Sequence, residues 1–272
     1  MLLKVGFQTE TTQTREVRPA LSEIIDQVNA IIAAAEAHGP KLLVIVDGLD
    51  RKEFEIALAM FSSSLLTDLD CHIVYAIPIS LRYSPAFRQP MEEFGNKDLA
   101  NIPVFKCDDQ KRPTTEPDRV GRHILATVIT KRLETLGDSH KAVFNPKALD
   151  LLCEKSGGVM RDLVRLAQTA CEVALRKQAQ SVDLAIAEEA VREVYRTYSI
   201  EDYHYPELET IHATGAITSN TYDSPREGKI VICDKLLHFK LALGYEDPKN
   251  GRWFDVNPII IEDLKRWQAA KD

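Results

Sequence analysis

The sequence predicts an α/β fold: a partial parallel sheet in residues 1–110, followed by an all-α region in residues 116–199 and a mixed module of helices and one hairpin in residues 200–272. Three observations predict it. Lys41–Asp47 (KLLVIVD) and Cys71–Ile77 are compact runs of branched apolar residues without alternation, which suits parallel strands buried on both faces. A helical periodicity separates the two runs. After Cys107 the strand pattern stops and helical periods take over.

In chain order, Arg15–His38 carries Val17, Leu21, Ile24, Ile25, Val28, Ile31 and Ile32, the spacing of a one-sided helix that Gly39-Pro40 stops. The first strand follows, then a helix over Phe54–Leu66, the second strand and, after a Pro-containing loop, a third short strand at Ile102–Cys107. Helical patterns run over Pro117–Leu136, Pro146–Lys155, Arg161–Gln178 and Val182–Tyr198, with Pro and Gly between them. The last module reads as helices near Tyr205–Ala213 and Asp234–Phe239, a hairpin around the turn residues Asp247–Gly251, and a closing helix over Pro258–Trp267. Helices with one hairpin suggest a winged-helix module.

With 34 Lys+Arg against 41 Asp+Glu the formal charge is −7, and residues 200–272 hold 9 Lys+Arg against 13 Asp+Glu. DNA affinity rests on neutralising phosphates, so this balance disfavours DNA as a partner, with a basic edge of Lys229, Lys235, Lys240, Lys249 and Arg252 as the remaining route to it. No apolar stretch approaches the ~20 residues of a membrane span. The opening MLLKVGFQTETTQT lacks the layout of a secretory signal, so a cytoplasmic protein without a membrane partner is expected. Five scattered cysteines without a C-x-x-C pair indicate neither a disulfide framework nor a zinc site, and read as small hydrophobes. Seven histidines show no metal-ligand spacing, and Tyr203-His204-Tyr205 reads as packing at a helix start.

The chemistry concentrates in Leu42–Asp50. An apolar run ending in an acid places Asp47 at a strand C-terminus, the edge where open α/β sheets bind ligands. A carboxylate there reaches a hydrated Mg²⁺ on nucleotide phosphates. Gly48 permits close approach to those phosphates, and Asp50 is placed to polarise an attacking water. A buried strand followed by an Asp-Gly turn is the plainer reading of the same residues.

The segment KLLVIVDGLDR resembles the extended Walker B of the STAND class of P-loop NTPases, NACHT-type proteins included, in which a small residue follows the Mg²⁺-binding acid and another acid comes two places later. The resemblance implies Asp47 as the metal carboxylate and Asp50 as the catalytic acid; Arg51 departs from the second acid often found there in NACHT proteins. CHIVYAIP followed by Ile79-Ser80-Leu81-Arg82 is placed like the sensor 1 strand of AAA+ and STAND proteins, which implies Ser80 or Arg82 as a reporter of the γ-phosphate. Ser156-Gly157-Gly158-Val159-Met160-Arg161-Asp162 is similar to the sensor 2 segment of the helical AAA+ lid, which implies that Arg161 pairs with the γ-phosphate. Alternatively Arg161 is a solvated first-turn residue, and Asp162 an acid complementing the helix dipole. Arg165 is a second candidate. NGRWFDVNP resembles the N-G-x-W-[YF]-x-V-x-P pattern in the winged-helix-like ending of long bacterial ATP-binding proteins.

A phosphate-wrapping G-x-x-x-x-G-K-[ST] segment does not occur in the sequence, and its single Gly-Lys pair, Gly228-Lys229, is followed by Ile230. The expectation is a truncated N-terminus, or MLLKVGF filling the gap in a rearranged sheet. What the resemblance implies is the Walker B, sensor, lid and winged-helix portion of a STAND/AAA+-type regulatory switch ATPase. It would bind ATP and Mg²⁺ between core and lid, self-associate or meet a partner protein, and be inactive in this chain alone. The rival reading is a non-catalytic scaffold that contacts DNA or a protein through the winged helix.

Overall fold

The computed structural model describes residues 13–49, 52, 54–63, 66–84, 87, 92, 94–134, 137, 143–218, 220–224 and 228–271, with the backbone alone for 13–21, 224 and 228–230. The expectation for MLLKVGF lies outside the described residues. The chain divides into two compact units, residues 1–96 and 97–272.

The first unit contains α1 (Gln13–Glu36), β1 (Leu43–Val46), α2 (Phe54–Phe61), β2 (His72–Tyr75) and α3 (Ile79–Tyr83). β1 and β2 pair in parallel, Leu43 opposite His72 through Val46 opposite Tyr75, so the expected strand–helix–strand unit forms. One sheet face turns Val46 and Tyr75 onto a core of Leu49, Ala57, Phe61, Leu81 and Phe87. There Phe61 makes edge-on ring contacts with Tyr75, Phe87 and Phe94.

The opposite face corrects the expectation of strands buried on both sides. Leu43, Ile45 and Val74 are 57%, 68% and 52% exposed, and both strands alternate between exposed and half-buried residues. The physical reason is that, among the described residues, the apolar core lies against one side of the sheet. Helix α1 turns Ile25, Asn29, Ile32 and Glu36 toward the unit. Asn29 bonds the Asp68 carbonyl (2.8 Å) and the Asp70 amide (2.9 Å), and Glu36 accepts from the Leu42 amide (2.8 Å). Its neighbouring stripe, Ile24, Val28 and Ile31, stays in solvent.

The second unit begins with β3 (Phe105–Cys107) and β4 (Pro113–Pro117), an antiparallel pair. The expected third strand therefore forms, but as half of a hairpin here and not as part of the parallel sheet, and the strands do not stop after Cys107. The Asp108 carboxylate accepts from the Gln110 and Arg112 amides (2.8 and 2.9 Å), closing the turn that sends β4 back. Prolines at both ends of β4 hide its strand signal.

The all-α region follows as α4 (Arg119–Leu133), α5 (Pro146–Lys155), α6 (Met160–Arg176) and α7 (Leu184–Tyr195). Asp118, Asn145 and Asp183 cap three of these helices by accepting from the Gly121, Lys147 and Ile186 amides. In α6 the buried set Leu163, Leu166, Ala167, Ala170, Val173 and Ala174 follows the helical repeat, and the alanines let α7 approach closely with Ala187 and Ala190.

A short 3₁₀ turn (Asp202–His204) leads to α8 (Tyr205–Thr214), β5 (Thr221–Ser224), β6 (Gly228–Val231), α9 (Ile232–His238), β7 (Ala242–Asp247), β8 (Gly251–Val256) and α10 (Ile261–Ala269). The β7–β8 hairpin forms where expected, its turn closed by the Asp247 carboxylate, which accepts from the Lys249 and Asn250 amides. The β5–β6 hairpin was not expected. Strand alternation predicts one of Trp253 and Phe254 near the surface, yet both are buried, at 2% and 6% exposure. The reason is that the hairpin is covered on both faces: Trp253 packs with Tyr245 and Leu243 beside Cys107 and Val159, while the Phe254 ring lies over Gly244. The five cysteines are free and buried or half-buried, as expected, and burial pushes the Cys153 and Cys233 thiols up to about 12.

His204 packs at the start of α8 as expected, against the Tyr203 ring. It is 2% exposed, its Nδ1 accepts from the Glu201 amide (3.0 Å), and its Nε2 has no hydrogen-bond partner among the described residues. Burial, reinforced by Lys235, holds its pKa down at about 4. The folded pKa lies below the unfolded value near 6.5, so the unfolded chain takes up the proton first as pH falls. Stability is then lost between about 6.5 and 4, by up to ~1.4 kcal/mol per pH unit. His212 acts oppositely, since the Asp255 carboxylate at 2.7 Å raises its pKa. Urea midpoints between about pH 7 and 4.5 are expected to slope downward for the native chain and less steeply for His204→Gln; equal slopes would refute the assignment.

Candidate functional site

At the end of β1 the backbone turns through Asp47-Gly48-Leu49. Gly48 has φ +87°, while a Cβ there would meet nothing within 4 Å, so glycine is required by the backbone conformation and not by crowding. Leu49 is buried in the core and anchors the turn from below. Asp47 is exposed, and the Gly48 N–H donates to its Oδ1 at 2.7 Å. Among the described residues no cation pairs with Asp47, and no cluster of three or more His, Cys, Asp or Glu forms a metal site. An exposed carboxylate with one oxygen engaged by an amide suits a hydrated Mg²⁺, which is held by one or two carboxylates together with phosphate oxygens. Asp50 and Arg51 lie outside the described residues.

Parallel strands end at the same edge, and the pairing extends to the Ala76 amide on the Val46 carbonyl (3.0 Å). Chain leaving β2 passes through Pro78 into α3, which carries Ser80 and Arg82. Asp47, Gly48, Ser80 and Arg82 therefore belong to segments leaving one edge of the sheet. Ser80 is fully buried, and its Oγ has no hydrogen-bond partner among the described residues. Arg82 is half-buried, with its guanidinium carbon 5.7 Å from the Tyr83 ring centroid.

Arg161 belongs to the second unit, where it is exposed in the first turn of α6. The segment that carries it is locked from both sides. Gly157 and Gly158 have φ +58° and +78°; a Cβ on Gly157 would lie 2.3 Å from Leu243 Cδ1, and one on Gly158 would lie 1.8 Å from the Ile102 carbonyl oxygen. Tyr245 Oη donates to the Gly157 carbonyl at 3.0 Å. Asp162, buried next to exposed Arg161, receives Lys240 Nζ on both oxygens (3.1 and 3.2 Å). Lys240 itself adopts φ +56°, and its carbonyl accepts from Asn257 Nδ2 (3.0 Å).

Lys240 and Asn257 were missed as partners of the Arg161 segment because they stand far from it in sequence; Lys240 was read as part of a basic edge, and Asn257 falls at an unspecified position of the N-G-x-W-[YF]-x-V-x-P pattern. The expected basic edge is also corrected in part. Lys240 sits on Asp162, Lys249 on Asp109, and Arg252 on Asp98 and Glu246, because acids of the same unit fold against them.

Gly158→Ala is expected to cost about 3 kcal/mol or more in thermal or urea unfolding, since strain and a backbone clash add. Lys240→Met is expected to cost about 2–4 kcal/mol by leaving the buried Asp162 carboxylate without its cation, and adding Asp162→Asn is expected to recover much of it. Strict additivity of the two substitutions would speak against the pair.

No protein-family profile and no curated protein sequence matches this chain. Among solved structures, the ADP form of the Aeropyrum pernix ORC2 protein is similar at 18% identity over 91% of this chain and 70% of its own, with a TM-score of 0.44. The same protein in ADPNP–ADP complexes gives 15% identity, 90% and 70% coverage and a TM-score of 0.42. The Thermotoga maritima RuvB Holliday junction branch migration motor gives 15% identity, 82% and 76% coverage and a TM-score of 0.36.

Proposed function

We infer that the chain is the Walker B, sensor and lid portion of a nucleotide-dependent ATPase of AAA+ type, with the STAND regulatory switches as the subclass its Asp47–Arg51 segment fits. The observation that carries this reading is the exposed Asp47 carboxylate on a left-handed Gly48 turn at the C-terminal edge of two parallel strands. Asp47 would hold Mg²⁺, which supplies charge neutralisation on the phosphates when bound. Asp50 would orient the water, and Arg161 would answer negative charge on the γ-phosphate. Lid and terminal module are joined by the Gly157–Tyr245 and Asp162–Lys240 contacts, so residues 97–272 would respond to nucleotide as one piece.

The terminal module, with α8, α9, β7–β8 and α10, is winged-helix-like in this reading, with β5–β6 as an addition. Three of its lysines are paired with acids, Lys240 with Asp162, Lys249 with Asp109 and Lys271 with Glu209, which favours a protein contact over a DNA contact. Without a phosphate-wrapping loop in the sequence, affinity for Mg-ATP is weak, and hydrolysis by this chain is not expected.

Amide chemical shifts followed during a titration with Mg-ATP to about 5 mM are expected to move at Asp47–Leu49 and Ile79–Arg82, with Asp47→Asn abolishing the Mg²⁺-dependent part. Shifts confined to other segments, or none, would overturn the site. Micromolar affinity would overturn the claim that a phosphate cradle is lacking.

A further inference from the structure

Two apolar surfaces of the first unit are left exposed by the described residues of that unit, and they are of complementary kinds. The bare face of β1–β2 presents Leu43, Ile45 and Val74, with His72 at its rim; the registers Leu43–His72 and Ile45–Val74 put all four on one side. Helix α1 presents Ile24, Val28 and Ile31, spaced i, i+4, i+7 on one stripe and 54%, 36% and 68% exposed. These surfaces do not cover each other within one chain, because α1 is fixed by its adjacent stripe: Ile32 is buried, and Asn29 and Glu36 are bonded to the segments that lead into β2 and β1.

We propose that a second copy of this chain covers them, forming a two-fold dimer in which α1 of each copy lies on the β1–β2 face of the other. A two-fold operation applies the helix-on-sheet contact twice, so both bare surfaces of both copies are closed by one symmetric arrangement. The six side chains expose roughly 100 Å² apiece; twelve from two copies amount to about 1,200 Å², the lower end of the range for specific interfaces. Parallel strands are ordinarily covered on both faces, and a helix is the usual cover. Acids at Glu23 and Asp26 flank the stripe on α1, while Lys41, paired with Glu36, and His72 stand at the N-terminal rim of the sheet face. This inference stands independently of nucleotide binding.

Light scattering on the full chain between about 5 and 200 µM is expected to show a dimer. Ile45→Lys and Ile31→Glu, both at exposed positions, are each expected to raise the dissociation constant at least about tenfold while leaving circular dichroism and melting of the monomer in place. An equimolar mixture of the two variants is expected to recover the dimer, since one contact is then native and the other pairs Lys with Glu. A chain that stays monomeric throughout, which would assign the face to another segment or protein, overturns the proposal. So does a dimer indifferent to both substitutions, or a mixture that fails to associate.

Discussion

The second unit depends on a wedge of two side-chain-free residues. Gly157 and Gly158 take left-handed conformations and meet Leu243 on one side and the Ile102 carbonyl on the other, at distances that leave no room for a methyl group. Around this wedge the Tyr245 hydroxyl, the Lys240–Asp162 pair and the buried Asn257 amide join the helical region to the terminal hairpin. The contacts are polar but buried and mutually satisfied, the condition under which such a network specifies one arrangement. Arg161 is placed by its neighbours: the residue before the helix is pinned by glycine packing, and the residue after it by a charge.

The first unit rests on the opposite condition. Its core is good on one side, where aromatic rings meet edge-on, and its sheet has two strands among the described residues. Two-stranded sheets are marginal without cover. Among the described residues, the exposed edge of the sheet offers the Asp47 carboxylate on a glycine turn.

Much of this was legible in the sequence, for identifiable reasons. Helices with strong caps and one-sided periodicity, such as Pro146–Lys155, were readable to the residue, and the two apolar strands and the β7–β8 turn were marked by composition. Where the reading failed, tertiary context overrode local pattern. Strand β3 was apolar enough for the parallel sheet but was captured by a Pro-flanked partner, and Trp253 and Phe254 alternate as a strand should yet find cover on both sides. The Ser-Gly-Gly-Val-Met-Arg-Asp segment was recognisable, but that its glycines serve packing and its aspartate a lysine 78 residues away is a fact of three-dimensional proximity. For the site, Asp47 and Gly48 were readable from the strand-end pattern, whereas the burial of Ser80 was not, because a polar residue after a strand carries no signal of depth.

The division between Asn96 and Lys97 has a consequence for synthesis. The chain passes from one unit to the other at that point, so residues 1–96 are synthesised before residues 97–272. At ~5–20 residues per second the stretch 97–272 takes about 9 to 35 seconds. Throughout that interval the uncovered aliphatic sheet face is present on a nascent chain, next to identical faces on the neighbouring ribosomes of a polysome.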